Sequence, residues 1–227
     1  MTPPPKDAFI ELSNLVSETE HHREKECRAF IPLALDIFVP FTGSTTVLDD
    51  ETEYPGHTGP SDLIVFCERN CGGVSEKYAY IWEVKAPQAD VFVKDTENRV
   101  KPSTEFVQAE NQLLHYWEDC KTEKFRSDFG ISHINNITLG GILIGKESTR
   151  VKGDYNKAEK NRLFRTALNL RKQCLYGHTG IQVLIWDDVL NFIKPSVPIT
   201  EDKFGDLGSV SITIVGQPDI VSSDPGI

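Results

Sequence analysis

Tyr80-Ile81-Trp82-Glu83-Val84-Lys85-Ala86-Pro87 is an apolar run interrupted by one acid and one base, two positions apart. Read as a strand, the run turns successive side chains to opposite faces, so Glu83 and Lys85 point the same way. On an exposed strand that spacing is an ordinary solvated charge pair. A carboxylate able to ligate a metal, set beside a cation able to hold and polarise a water, is also the chemical centre of many phosphodiester-cleaving sites.

Two neighbouring segments favour the chemical reading. Upstream, Gly59-Pro60-Ser61-Asp62 leads into Leu63-Ile64-Val65-Phe66, which puts a carboxylate at the mouth of a second strand. Between the strands, Glu68-Arg69-Asn70-Cys71-Gly72-Gly73 is rich in turn formers and predicts a hairpin that brings Asp62 and Glu83 towards one cation. Downstream, Pro102-Ser103 precedes a helical pattern from Thr104 to about Cys120, with Phe106, Ala109, Leu113, Trp117 and Cys120 recurring every three or four positions. Gln108, Gln112 and Tyr116 lie four apart on the flank of that stripe and stack along one side of the helix. Gln108 reads as solvated, Gln112 and Tyr116 as part of the site.

The succession Asp62, Glu83-Val84-Lys85 and Gln112-Leu113-Leu114-His115-Tyr116 resembles the PD-(D/E)XK nuclease superfamily in its Q-x-x-x-Y variety. More narrowly, it is similar to the nuclease domain of Shedu-type antiphage defence proteins. There the Glu-x-Lys strand runs on into a proline, as Lys85-Ala86-Pro87 does, and an Ala-x-x-Gln-x-x-x-Tyr helix follows, matched by Ala109, Gln112 and Tyr116. Leu139 to Gly145 resembles the third core strand, and Gly180 to Leu190 the closing strand and short helix, so the similarity runs roughly from Glu24 to Phe192. The nominal Pro-Asp pair is Pro60-Ser61-Asp62 here, and the N-terminal domains common in Shedu proteins have no counterpart in this sequence.

The resemblance implies a restriction-endonuclease-like α/β fold, a mixed central β-sheet flanked by helices. It implies a Mg²⁺-dependent DNA endonuclease of antiphage defence, working as a homo-oligomer. A restriction-type or RecB-like repair nuclease, and a catalytically silent module binding nucleic acid or a protein partner, are the alternatives. Asp62 and Glu83 supply hard oxygen ligands for Mg²⁺, with Mn²⁺ expected to substitute. The family adds the backbone carbonyl between Glu and Lys, that of Val84, and an acid from the first helix, for which Glu24 is the candidate within the stretch Glu18 to Phe38. Lys85 would orient the attacking water, Gln112 would hydrogen-bond near the metal or Lys85, and Tyr116 would fix the helix or contact a phosphate.

The 227 residues suit one α/β domain over 8–193. A loose segment, 1–7, with three consecutive prolines precedes it, and a partly ordered extension, 194–227, follows with one expected strand at Val210 to Val215. The sequence shows no apolar run of bilayer length and no secretory leader. Five cysteines without a regular framework suit a reducing compartment, so a cytoplasmic location with no membrane partner is expected. Cys67 and Cys71 across the hairpin, completed by His57 or another His, allow a zinc site as a minor reading; Cys27, Cys120 and Cys174 read as packing residues. The formal net charge of −10 weighs against a DNA partner. Against it stands a run of cations, Lys146, Arg150, Lys152, Lys157, Lys160, Arg162, Arg165, Arg171 and Lys172, read either as a solvated helix face or as a phosphate-tracking surface.

Overall fold

The computed structural model describes residues 6–40, 45–57, 59–96 and 98–195. From the N-terminus, α1 (Lys6–Ser17) and α2 (Glu24–Arg28) lead through a 3₁₀ segment (Ile31–Phe38) to β1 (Thr45–Glu51). A small pair, β2 (Tyr54–Pro55) and β3 (Pro60–Ser61), precedes the long hairpin of β4 (Leu63–Cys71) and β5 (Val74–Val84). Then come β6 (Phe92–Thr96), β7 (Arg99–Pro102), α3 (Thr104–Cys120), α4 (Glu123–Phe129) and β8 (Ile137–Leu143). The described chain closes with β9 (Val151–Lys152), α5 (Lys157–Arg171), a π-helical turn (Lys172–Tyr176), β10 (Gln182–Leu184) and α6 (Trp186–Ile193).

The central sheet has the order β1-β4-β5-β8-β10, antiparallel from β1 to β5 and parallel from β5 to β10. The fold is therefore α/β with a mixed central sheet flanked by helices, the architecture that the resemblance implies. Gly72 and Gly73 make the β4–β5 turn with φ of 64° and 89°, a conformation open to glycine and required by a tight hairpin of matching twist. Alternation divides the strands between two cores. Ile64, Phe66, Ala79 and Ile81 pack towards α3 and α5, while Leu63, Val65, Cys67, Tyr80, Trp82 and Val84 pack towards α1, the 3₁₀ segment and α6. With both faces covered, the central strands are near-continuous apolar runs.

Helix α3 begins where the sequence places it, with the Ser103 hydroxyl accepting from the Phe106 N–H. Its buried stripe includes Tyr116 rather than Trp117, which is half-buried and donates its indole N–H to the Ile137 carbonyl. The stretch Glu18 to Phe38 is not one helix. Glu18 turns its carboxylate on the N–H groups of Thr19 and Glu20, Ala34 has non-helical backbone angles, and only Glu24–Arg28 is α-helical there. The first helix is α1, beginning at Lys6 inside the segment expected to be loose, because Leu12 and Val16, one turn apart, are buried against the sheet. A second, three-stranded sheet, β7-β6-β9, was not anticipated. The extension 196–227, with the strand expected at Val210 to Val215, lies outside the described residues. Among the described residues no helix is long and apolar enough to cross a membrane.

Trp82 sets the spacing of the sheet. Its indole is buried, donates to the Phe38 carbonyl at 2.9 Å, and lies over Gly140 and Gly141 at a bulge in the β5–β8 register. A Cβ on Gly141 would fall on the Gln182 carbonyl oxygen and 2.7 Å from Cζ3 of Trp82. Backbone on one side and a packed indole on the other leave no room to relax. We expect Gly141→Ala to lower unfolding free energy by about 1–3 kcal/mol, the cost of overpacking a filled core. Urea denaturation with a wild-type midpoint in that variant would refute this packing.

Candidate active site

Asp62, Glu83 and Lys85 converge at the end of the hairpin. Residue parity brings them to the α3 side: Asp62 continues the face of Ile64 and Phe66, Glu83 and Lys85 that of Ala79 and Ile81. Asp62 Oδ2 accepts the Val84 N–H at 3.1 Å, fixing the mouth of β4 to the end of β5. Lys85 continues the strand, with its N–H on the Leu143 carbonyl and its own carbonyl accepting the Trp186 indole N–H, both at 2.8 Å. Its Nζ lies 2.5 Å from Glu83 Oε1.

Glu83 is fully buried, and both its oxygens are served by no donor other than the Lys85 ammonium. Burial first, and the Asp62 charge second, push its carboxyl up to about 9 against the pull of Lys85. For Lys85, burial works against the charge, yet Glu83, Asp62 and Glu24 outweigh it and hold the ammonium above the ordinary lysine range. Glu24 sits in the same field. Burial and then Asp62 raise its carboxyl, while Lys85, Arg28 and a hydrogen bond from the Ala86 N–H pull it down.

Helix α3 closes the site from above. The Gln112 amide donates to the Tyr116 hydroxyl at 3.4 Å, and burial, followed by the charges of Glu83 and Asp62, pushes the phenol up to about 12. The structure thus brings Asp62, Glu83, Lys85, Glu24, Gln112 and Tyr116 together. Val84 enters through its N–H.

Three residues to which the sequence reading gave no role in the site complete the arrangement. Arg28, one turn after Glu24, donates to Asp62 Oδ1 at 3.3 Å and to the Asp62 backbone carbonyl. Gln88 donates to the carbonyls of Leu15 and Glu18 and accepts from the Arg23 N–H. Lys146, expected on a basic surface, is buried, with its ammonium 2.6 Å from the Val16 carbonyl and 2.7 Å from that of Glu18. Gln88 and Lys146 together hold the end of α1 and the following linker, and so present α2 with Glu24 and Arg28. The i, i+4 spacing of Glu24 and Arg28 was the one local signal for Arg28.

The basic run is otherwise largely engaged. Arg171 pairs with Glu110 at 2.6 Å, Lys152 with Asp90 at 2.9 Å and Lys157 with Glu147 at 3.1 Å, and Arg150 bonds to Asn161. Arg162, Arg165 and Lys172 are exposed. Cys67 lies in the core, turned away from a role beside His57, which is exposed. Cys27 and Cys120 are packing residues with thiols pushed up to about 12, chiefly by burial; Cys174 is exposed rather than packed.

The donor set suits Mg²⁺. Three carboxylates offer hard oxygens, and Glu83 has buried oxygens that a cation would satisfy. Among the described residues no group of three or more His, Cys, Asp or Glu side chains that could hold a metal ion is found. No protein-family model and no curated protein matches the chain.

Removing one partner of a buried ion pair strands the other charge, whereas removing both relieves it. In EDTA and above about pH 9, where Glu83 is ionised, we therefore expect Lys85→Ala to cost about 2 kcal/mol of unfolding free energy, with proton uptake by Glu83 limiting the loss. The double variant Glu83→Gln, Lys85→Ala should recover at least half of it. Additive losses in a urea-denaturation cycle would remove the coupling described here.

Proposed function

We propose that the chain is a Mg²⁺-dependent nuclease of the PD-(D/E)XK type, in its Q-x-x-x-Y, Shedu-like form. On this reading it cleaves DNA phosphodiesters endonucleolytically in antiphage defence and works as a homo-oligomer. The observation that carries the reading is the gathering of Asp62, Glu24, Lys85, Gln112 and Tyr116 round the buried Glu83, from the hairpin, α2 and α3.

Asp62, Glu83 and Glu24 would hold the cation, with the Val84 carbonyl as a further ligand implied by the resemblance. When bound, the cation neutralises charge on the phosphate and makes a coordinated water more acidic. The protein's own groups divide the remaining work. Lys85, kept charged by three carboxylates, donates to the attacking water and steadies charge on the phosphate; it is not a base in that state. Tyr116 keeps its phenolic proton at neutral pH and presents it as a donor, since the Gln112 amide occupies an oxygen lone pair rather than the O–H.

The test is cleavage of supercoiled plasmid and of linear duplex by wild type, Asp62→Asn and Glu83→Gln, with Mg²⁺, Mn²⁺ or EDTA. We expect nicking followed by linearisation of the plasmid with either metal and none in EDTA. Each variant should lose at least about a hundredfold in rate, the scale on which a key electrostatic group acts. A folded wild type that cuts neither substrate with either metal would sink the nuclease reading. Degradation of linear duplex alone would replace the endonuclease with an end-dependent enzyme.

A further inference from the structure

We propose that Arg28 is the internal counter-ion of this site: it holds the Asp62 carboxylate until a divalent cation takes it, and its guanidinium then serves a phosphate oxygen of the nucleic acid. The inference rests on the nuclease reading and assigns a residue to substrate binding within it.

The two grips of Arg28 on Asp62 differ. One goes to the backbone carbonyl, the other to carboxylate Oδ1 at 3.3 Å, long for a charge-assisted contact. One grip is therefore on a main-chain atom that no metal needs to displace. Oδ2 is separately held by the Val84 N–H. A cation can take Oδ1 while the guanidinium stays anchored by the main chain. The two grips occupy two of the five guanidinium N–H groups, and the side chain, like that of Asp62, keeps 16% of its surface exposed.

Charge balance points the same way. With a divalent cation bound to the ionised carboxylates of Glu24, Asp62 and Glu83, and with Arg28 and Lys85 beside them, the loaded cluster carries +1, which one phosphodiester neutralises. Without Arg28 the empty cluster would attract a cation more strongly, and the loaded cluster would have no charge left for the phosphate. Arg28 thus exchanges metal affinity for substrate affinity. No other cation in contact with Asp62 is seen among the described residues.

The experiment uses Arg28→Gln, which keeps a donor for the Asp62 carbonyl and loses the charge, with Arg28→Lys as a charge-retaining second variant. Mn²⁺ binding is followed by electron paramagnetic resonance, and binding of a short duplex is followed in Ca²⁺ over a range of salt concentrations. Arg28→Gln should bind Mn²⁺ about tenfold more tightly, as expected for removal of a nearby like charge. It should bind duplex more weakly, with a salt slope shallower by about one. Arg28→Lys should stay near wild type in metal affinity. Mn²⁺ affinity unchanged or weakened in a folded Arg28→Gln protein overturns the proposal, as does an unchanged duplex affinity and salt slope. Absence of Mn²⁺ binding in both wild type and variant instead removes the nuclease reading on which it stands.

Discussion

A carboxylate on a strand buried from both sides is costly to keep, and Glu83 is that carboxylate. Taking an ion out of water costs several kcal/mol unless other groups repay it. Glu83 cannot turn outward to escape, because Trp82 and Val84 on either side of it are locked into the opposite core. Its own face is roofed by α3. The relief on offer is one ammonium, two residues along the same strand, and a raised affinity for a proton. Such a position lowers stability unless a ligand of opposite charge completes it.

The rest of the site hangs on where the strands end. β5 and β8 run parallel and finish together, and their trailing residues supply Gln88 and Lys146, which grip the end of α1. Five residues of α2 would not hold as an isolated helix, since nucleation is unfavourable at that length. Burial of Cys27 and the clamp before it keep α2 in place, and Glu24 and Arg28 are delivered to Asp62 as a consequence. The cluster therefore lies beyond the carboxyl ends of the parallel strands, where α/β sheets open a crevice. Lys146 illustrates the cost of this construction: burial lowers its pKa, and helix-end carbonyls satisfy its ammonium.

What was legible in the sequence was local. Period two placed Glu83 and Lys85 on one face, Gly72-Gly73 set the hairpin that brings Asp62 to them, and Ser103 marked the start of the helix carrying Gln112 and Tyr116. What escaped depends on distant partners. Arg28 meets Asp62 across 34 positions and Lys146 meets Val16 across 130, so neither partner can be read from a local spacing. The basic run stays open in the sequence for the same reason. Composition counts Arg171, Lys152 and Lys157 as free charge, whereas Glu110, Asp90 and Glu147, brought by other elements, pair with them. β6, β7 and β9 form a sheet partly by long-range pairing, Phe92 opposite Val151, which a local pattern does not announce.

Those pairings bear on how an acidic chain would meet a polyanion. Neutralisation of phosphates normally comes from a surplus of free Lys and Arg, and this chain has a deficit with many of its cations already committed. On the proposed reading, attraction must come from within the site, and there the metal-free cluster offers a polyanion no net positive charge. Nucleic acid meets a positive site only once a divalent cation is bound. Metal loading and substrate binding become one ordered event, set by three carboxylates and two cations rather than by a basic surface. An enzyme built this way gains affinity for DNA only in the state able to cut it, and its acidic exterior limits idle binding elsewhere along the polymer.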